Sequence, residues 1–70
     1  MEQVKLYKII EVAEILGTNK QRVYKLIRAK HLTALKLGDL KVSSYELERF
    51  IIEANGKDFS DLENVKDLVI

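Results

Sequence analysis

Between Ile9 and Ile27 the chain carries two short apolar stripes separated by one glycine and two polar residues, Gly17-Thr18-Asn19. Ile9, Val12, Ala13 and Leu16 recur at helical spacing with Glu11 and Glu14 facing away, and Val23, Leu26 and Ile27 form the second stripe. Gly17 can enter the left-handed conformation that ends a helix, and Thr18 or Asn19 can accept a hydrogen bond from the free amides that open the next. The pattern therefore predicts helices over 8–16 and 20–29 that pack across a three-residue turn. Lys8 is a poor cap and leaves the start of the first helix undefined.

After His31 the chain alternates, Leu35 and Leu37 against Lys36, then Leu40 and Val42 against Lys41, with Gly38-Asp39 between the runs as a tight two-residue hairpin turn. Ser43 or Ser44 caps a third helix, with Glu46 at the capping-box position relative to Ser43, apolar positions at Tyr45, Leu47, Phe50 and Ile51, and a stop at Asn55-Gly56. Ser60-Asp61-Leu62-Glu63 repeats the capping-box pattern, and Leu62, Val65 and Leu68 or Val69 could form a brief amphipathic helix if a surface receives it. The fold class is small α+β, mainly α: a winged helix-turn-helix in which the helix pair is followed by a two-stranded hairpin wing, a third helix and a short C-terminal tail or helix.

At 70 residues there is room for one small core. Residues 1–52 hold ten Lys and Arg against six Asp and Glu, and residues 53–70 hold two against five, which divides the chain into a basic domain and an acidic tail. An enzyme fails on inventory, with one histidine, no cysteine and carboxylates spread over outward helix faces. Neither a disulfide framework nor a thiolate metal site is possible without cysteine, and His31 lacks a second ligand at metal spacing, so it reads as a solvated boundary histidine. The isolated glycines cradle no phosphate, and no cofactor or small-molecule substrate is expected. The opening MEQVKLYK lacks the apolar core of a signal peptide and no apolar run reaches the roughly 18–20 residues of a membrane span, so a cytoplasmic protein is expected.

The second helix is the unusual element. From Thr18 to His31 it holds five lysines and arginines and no carboxylate. Gln21, Lys25 and Arg28 fall on one side, nearly opposite the Val23, Leu26 and Ile27 stripe, and this polar comb suits the major groove of duplex DNA. Gln21, Lys25 and Arg28 are assigned to base edges or adjoining phosphates, with Asn19, Lys20, Arg22 and Lys30 flanking, Tyr24 between the core edge and a phosphate, and Lys36 and Lys41 on the wing. Asp39 at the wing tip would be repelled by phosphate, so helix contacts should dominate.

Several segments resemble the excisionase family of MerR-like winged-helix DNA-binding domains: Tyr7-Lys8-Ile9-Ile10-Glu11-Val12-Ala13-Glu14-Ile15-Leu16-Gly17, Arg22-Val23-Tyr24-Lys25-Leu26-Ile27, Leu35-Lys36-Leu37-Gly38 and Glu46-Leu47-Glu48-Arg49-Phe50. The likeness covers roughly residues 6–52. It implies a phage or mobile-element protein that bends DNA and steers integrase-mediated recombination towards excision, with a tyrosine recombinase or further copies of itself as partners. The chain departs from the family pattern at Lys8 in place of a Ser or Thr cap, at Lys30 where glycine is common, and at Asp39-Leu40 in a wing tip that is often basic. Two other readings stand beside this one: a transcription regulator or the DNA-recognition subunit of a phage packaging machine, and a protein adaptor whose basic helix binds an acidic partner.

Overall fold

The structure, a computed structural model, describes residues 4–69; residues 1–3 of the basic domain and residue 70 of the acidic tail lie outside it. The order is β1 (Leu6–Lys8), α1 (Ile9–Leu16), α2 (Lys20–Arg28), β2 (Leu35–Leu37), β3 (Asp39–Ser43), α3 (Ser44–Ala54), β4 (Lys57–Asp58) and β5 (Lys66–Asp67).

The two leading helices form where the stripes place them. Gly17 adopts a left-handed φ of 70°, and the amides of Gly17 and Thr18 donate to the carbonyls of Glu14 and Ala13 at 3.1 and 2.8 Å, closing α1. At the start of α1 the cap works in reverse. Lys8 supplies no side-chain acceptor, and the Glu11 carboxylate instead accepts from the Lys8 amide at 2.9 Å. Glu11, read as merely facing outward, therefore fixes where α1 begins.

Ile9, Val12 and Ala13 of α1, Val23 and Leu26 of α2, Leu32, Val42 of β3, and Leu47 and Phe50 of α3 make one buried core. The α3 start matches the expected cap, with Ser43 Oγ accepting from the Glu46 amide at 3.0 Å. Tyr45 and Ile51, expected on the apolar face of α3, are exposed at 73% and 45%. The buried stripe of α3 is narrower because Leu47 and Phe50, with Ala54 half-buried beside them, are what meets the single core of so small a domain.

The wing differs from expectation in register. Gly38, with φ 74°, turns the chain alone, and Asp39 already pairs with Leu37, followed by Lys36 with Leu40 and Leu35 with Lys41. A two-residue turn would have set Leu35 and Leu37 beside Leu40 and Val42 on one face; a one-residue slip sends them to the other. The cause is a strand with no signal in the sequence. β1 pairs antiparallel with β3, Tyr7 opposite Val42, and this keeps Leu40 and Val42 inward while Leu35 and Leu37 face solvent.

The segment after α3 is a small hairpin, β4 against β5, and not the brief helix that its capping-box pattern suggested. Asp58 Oδ1 accepts from the amide and hydroxyl of Ser60, and Asp61 Oδ1 from the amide of Glu63. Aspartate side chains thus bind backbone groups two residues on and offer a turn in place of a helix. Phe59 and Leu62 pack on the core from this hairpin, whereas Leu68 and Val69 remain exposed.

Candidate nucleic-acid interface

Helix α2 presents its face to solvent because its other side is committed. Val23 and Leu26 are buried and Ile27 is half-buried, so Gln21, Lys25 and Arg28 project away from the core with Lys20 and Arg22 on the flanks, all exposed. Tyr24 sits at the boundary at 36% exposure, as an amphipathic ring between core and solvent would. Asn19 caps the helix, its Oδ1 accepting from the Arg22 amide at 2.9 Å, which leaves only its side-chain NH2 for an outside acceptor.

The other end of α2 is closed by a lysine in an unusual conformation. Lys30 has φ 66°, in the left-handed region that favours glycine. Its amide donates to Ile27 O at 3.1 Å and the His31 amide to Leu26 O at 3.0 Å, the same closure that Gly17 gives α1. The Lys30 ammonium is thereby carried at the end of the row formed by Lys20, Arg22, Lys25 and Arg28.

Electrostatically this row is free. Among the described residues the ion pairs are those of Arg49 with Glu46 and Glu53 and of Lys57 with Asp67, and none involves a cation of α2. Positive side chains without local partners, along a helix whose first amides also attract anions, are suited to phosphate. The two wing lysines are separated. Lys36 stands opposite Leu40 on the sheet face shared with Val42, while Lys41, half-buried, lies on the other face between Lys8 and Leu35. Asp39 is exposed at the tip beside Leu37.

Sequence reasoning missed the residues that hold α2 in place. Glu46 of α3 accepts from the Thr33 amide at 2.8 Å and from Arg49, and Arg49 Nη2 donates to His31 O at 3.2 Å. The Arg49 guanidinium, first, and the Thr33 amide hold the Glu46 carboxyl below the usual carboxylate range. The loop leaving α2 is therefore tied to α3 at Thr33 and His31 by charge-assisted hydrogen bonds. His31 is half-buried and not simply solvated: its Nε2 lies 2.6 Å from Leu62 O, which accepts from it, and its ring meets Phe59 edge to face at a centroid distance of 5.4 Å. The capping-box signal at Glu46 was visible, but its partners lie 13 and 3 residues away and only the fold assembles them.

No helix among the described residues is long and apolar enough to cross a membrane. In comparison with known families, the helix-turn-helix domain matches residues 6–54. No curated protein and no solved structure matches the chain.

Proposed function

Because the chain belongs to the helix-turn-helix domain family, we propose that it binds double-stranded DNA with α2 in the major groove. The observation that carries this is the row of exposed cations on α2, paired with no carboxylate among the described residues. Gln21, Lys25 and Arg28 read base edges or adjoining phosphates, and Asn19, Lys20, Arg22, Tyr24 and Lys30 hold the backbone on either side. Arg28 suits guanine and Gln21 adenine, since each can make two hydrogen bonds to that base in the major groove. Lys36 and Lys41, on opposite faces of the wing, add backbone contacts from different sides.

Within DNA binding, the reading is an excisionase: a protein that binds and bends an attachment site of a phage or mobile element so that a tyrosine recombinase excises it. It acts by positioning and carries out no chemistry on the DNA. Bending 20–30 base pairs costs roughly 1–6 kcal/mol, which the helix and wing contacts must offset. The motifs at residues 7–17, 22–27, 35–38 and 46–50 support this reading, and the acidic segment 53–70 is proposed as a separate functional part of the chain.

The test is a fluorescence-anisotropy titration against duplex from the element's attachment region, with unrelated duplex as competitor, at several salt concentrations. If each of the five cations from Lys20 to Lys30 meets a phosphate, log K should fall with log[salt] at a slope of about −4.5. Specific, cooperative binding followed by integrase-dependent excision supports the excisionase reading. Specific binding confined to a promoter favours a regulator, and no binding at low salt refutes DNA recognition and leaves a protein adaptor.

A further inference from the structure

The acidic C-terminal hairpin does not hang free of the basic helix; it runs beside it. Phe59 packs against Phe50 and His31, with ring centroids at 5.4 Å in both cases, and the Leu62 carbonyl accepts from His31 Nε2. These contacts seat the hairpin against α3 and the loop leaving α2. Two open clefts lie between α2 and the hairpin. In one, Arg22 and Leu26 face Lys57, Asp58 and Ser60; in the other, Lys25, Arg28 and His31 face Leu62 and Glu63.

The second cleft sets a carboxylate across from cations of the basic row without an ion pair between them. Glu63 stands exposed on a turn held by Asp61, whereas in the first cleft Asp58 accepts two hydrogen bonds from Ser60 and is offset by Lys57. A phosphate seated by Lys25 and Arg28 would feel the Glu63 charge on the hairpin side.

Building on the proposal that α2 binds DNA, we propose that the C-terminal hairpin is an electrostatic restraint on that helix: the Glu63 carboxylate, across the cleft from Lys25 and Arg28, opposes the seating of a phosphate there. The repulsion acts on unrelated and attachment-site duplex alike, because both present phosphate to the same cations.

The experiment compares Glu63→Gln with Glu48→Gln in the full chain. Both variants remove one negative charge at an exposed position, but Glu48 lies on α3. Anisotropy titrations with unrelated and attachment-site duplex are run at low and high salt. Like charges about 6–7 Å apart in water shift an equilibrium by about threefold when unscreened, as they nearly are at about 0.01 M salt with a Debye length of about 30 Å, and by less at about 0.15 M, where that length is about 8 Å. Glu63→Gln should therefore bind both duplexes about threefold more tightly at low salt and by a smaller factor at the higher salt, while Glu48→Gln stays near the unmodified chain. Equal tightening by both variants would reduce the effect to net charge and overturn the proposal. So would no change, or weaker binding, in Glu63→Gln. If the unmodified chain binds no DNA at low salt, the DNA-binding reading itself fails, and this inference with it.

Discussion

Lys30 occupies a position where backbone strain and function pull in opposite directions, and substitution separates them. At φ 66° a residue with a Cβ bears a steric cost of about 1–2 kcal/mol, which glycine avoids. Glycine takes part of this back, because it frees more of the unfolded chain, by about 0.5–1 kcal/mol. The two backbone hydrogen bonds that close α2, from Lys30 N and His31 N, are kept by any residue that holds this conformation. Lys30→Gly should therefore stabilise the domain by about 0.5–1 kcal/mol. With an unfolding entropy of about 2.1 cal/mol/K per residue, a chain of 70 residues should gain roughly 3–7 °C in Tm.

Lys30→Ala is the matched control, since it keeps the Cβ and removes the charge. Thermal unfolding followed by circular dichroism should show the glycine variant melting above the parent and the alanine variant within about 0.5 kcal/mol of it. In the DNA titration both variants should leave the same phosphate without its ammonium, each lowering the salt slope by about 0.9. A glycine variant that melts at or below the parent would refute the assignment of strain to this residue. Unequal salt slopes for the two variants would show that loop geometry, and not the ammonium, is what DNA meets at this point.

Lys25→Ala and Arg28→Ala should leave Tm nearly unchanged and lower the salt slope by about 0.9 for each phosphate that is no longer neutralised, with Arg28→Ala costing about 1–3 kcal/mol at the preferred site if it reads a base; unchanged DNA affinity in both would reject α2 as the recognition face. Leu26→Ala, at 5% exposure, should cost about 3–5 kcal/mol, close to the whole stability of a domain this small, and its circular dichroism should report a largely unfolded chain at 25 °C. Asp39→Lys should strengthen DNA binding slightly by removing a repulsive charge from the wing tip, and a large loss of affinity would sink the view that helix contacts dominate. The Glu46 carboxyl titrates lower folded than unfolded, so its stabilising effect is complete above about pH 4.3 and disappears as pH falls through the lowered folded value; a Tm-versus-pH series should show Glu46→Gln lacking that part of the acid decline.

How far the sequence could be read depended on whether each signal was local. α1 and α2 were legible because apolar spacing, Gly17 and Asn19 act within a few residues of one another, and the exposed basic face follows directly from which side Val23 and Leu26 bury. The wing's existence was legible for the same reason, from Gly38 between two alternating runs. Its facing was not. The alternation of Leu35 and Leu37 with Lys36 is satisfied by either register, and the choice is made by β1, a three-residue strand more than thirty positions away in the chain. Lys36 and Lys41, read as one pair of wing contacts, consequently stand on opposite faces.

The C-terminal segment shows the same dependence on distant partners more sharply. Its charge excess and two-residue strands resemble a detached tail, yet its Phe59 and Leu62 side chains cover the end of the core where Phe50 and His31 would otherwise meet solvent. A histidine alone in the sequence is most economically read as solvated; a carbonyl 31 positions further on makes it an anchor. For a domain whose core supplies only a few kcal/mol, burying Phe59 and Leu62 is a substantial part of the total, at roughly 1.5–3 kcal/mol for each side chain fully covered. Because those same contacts set Glu63 across a cleft from Lys25 and Arg28, the hairpin cannot be anchored without also changing the electrostatic surroundings of the basic row on α2.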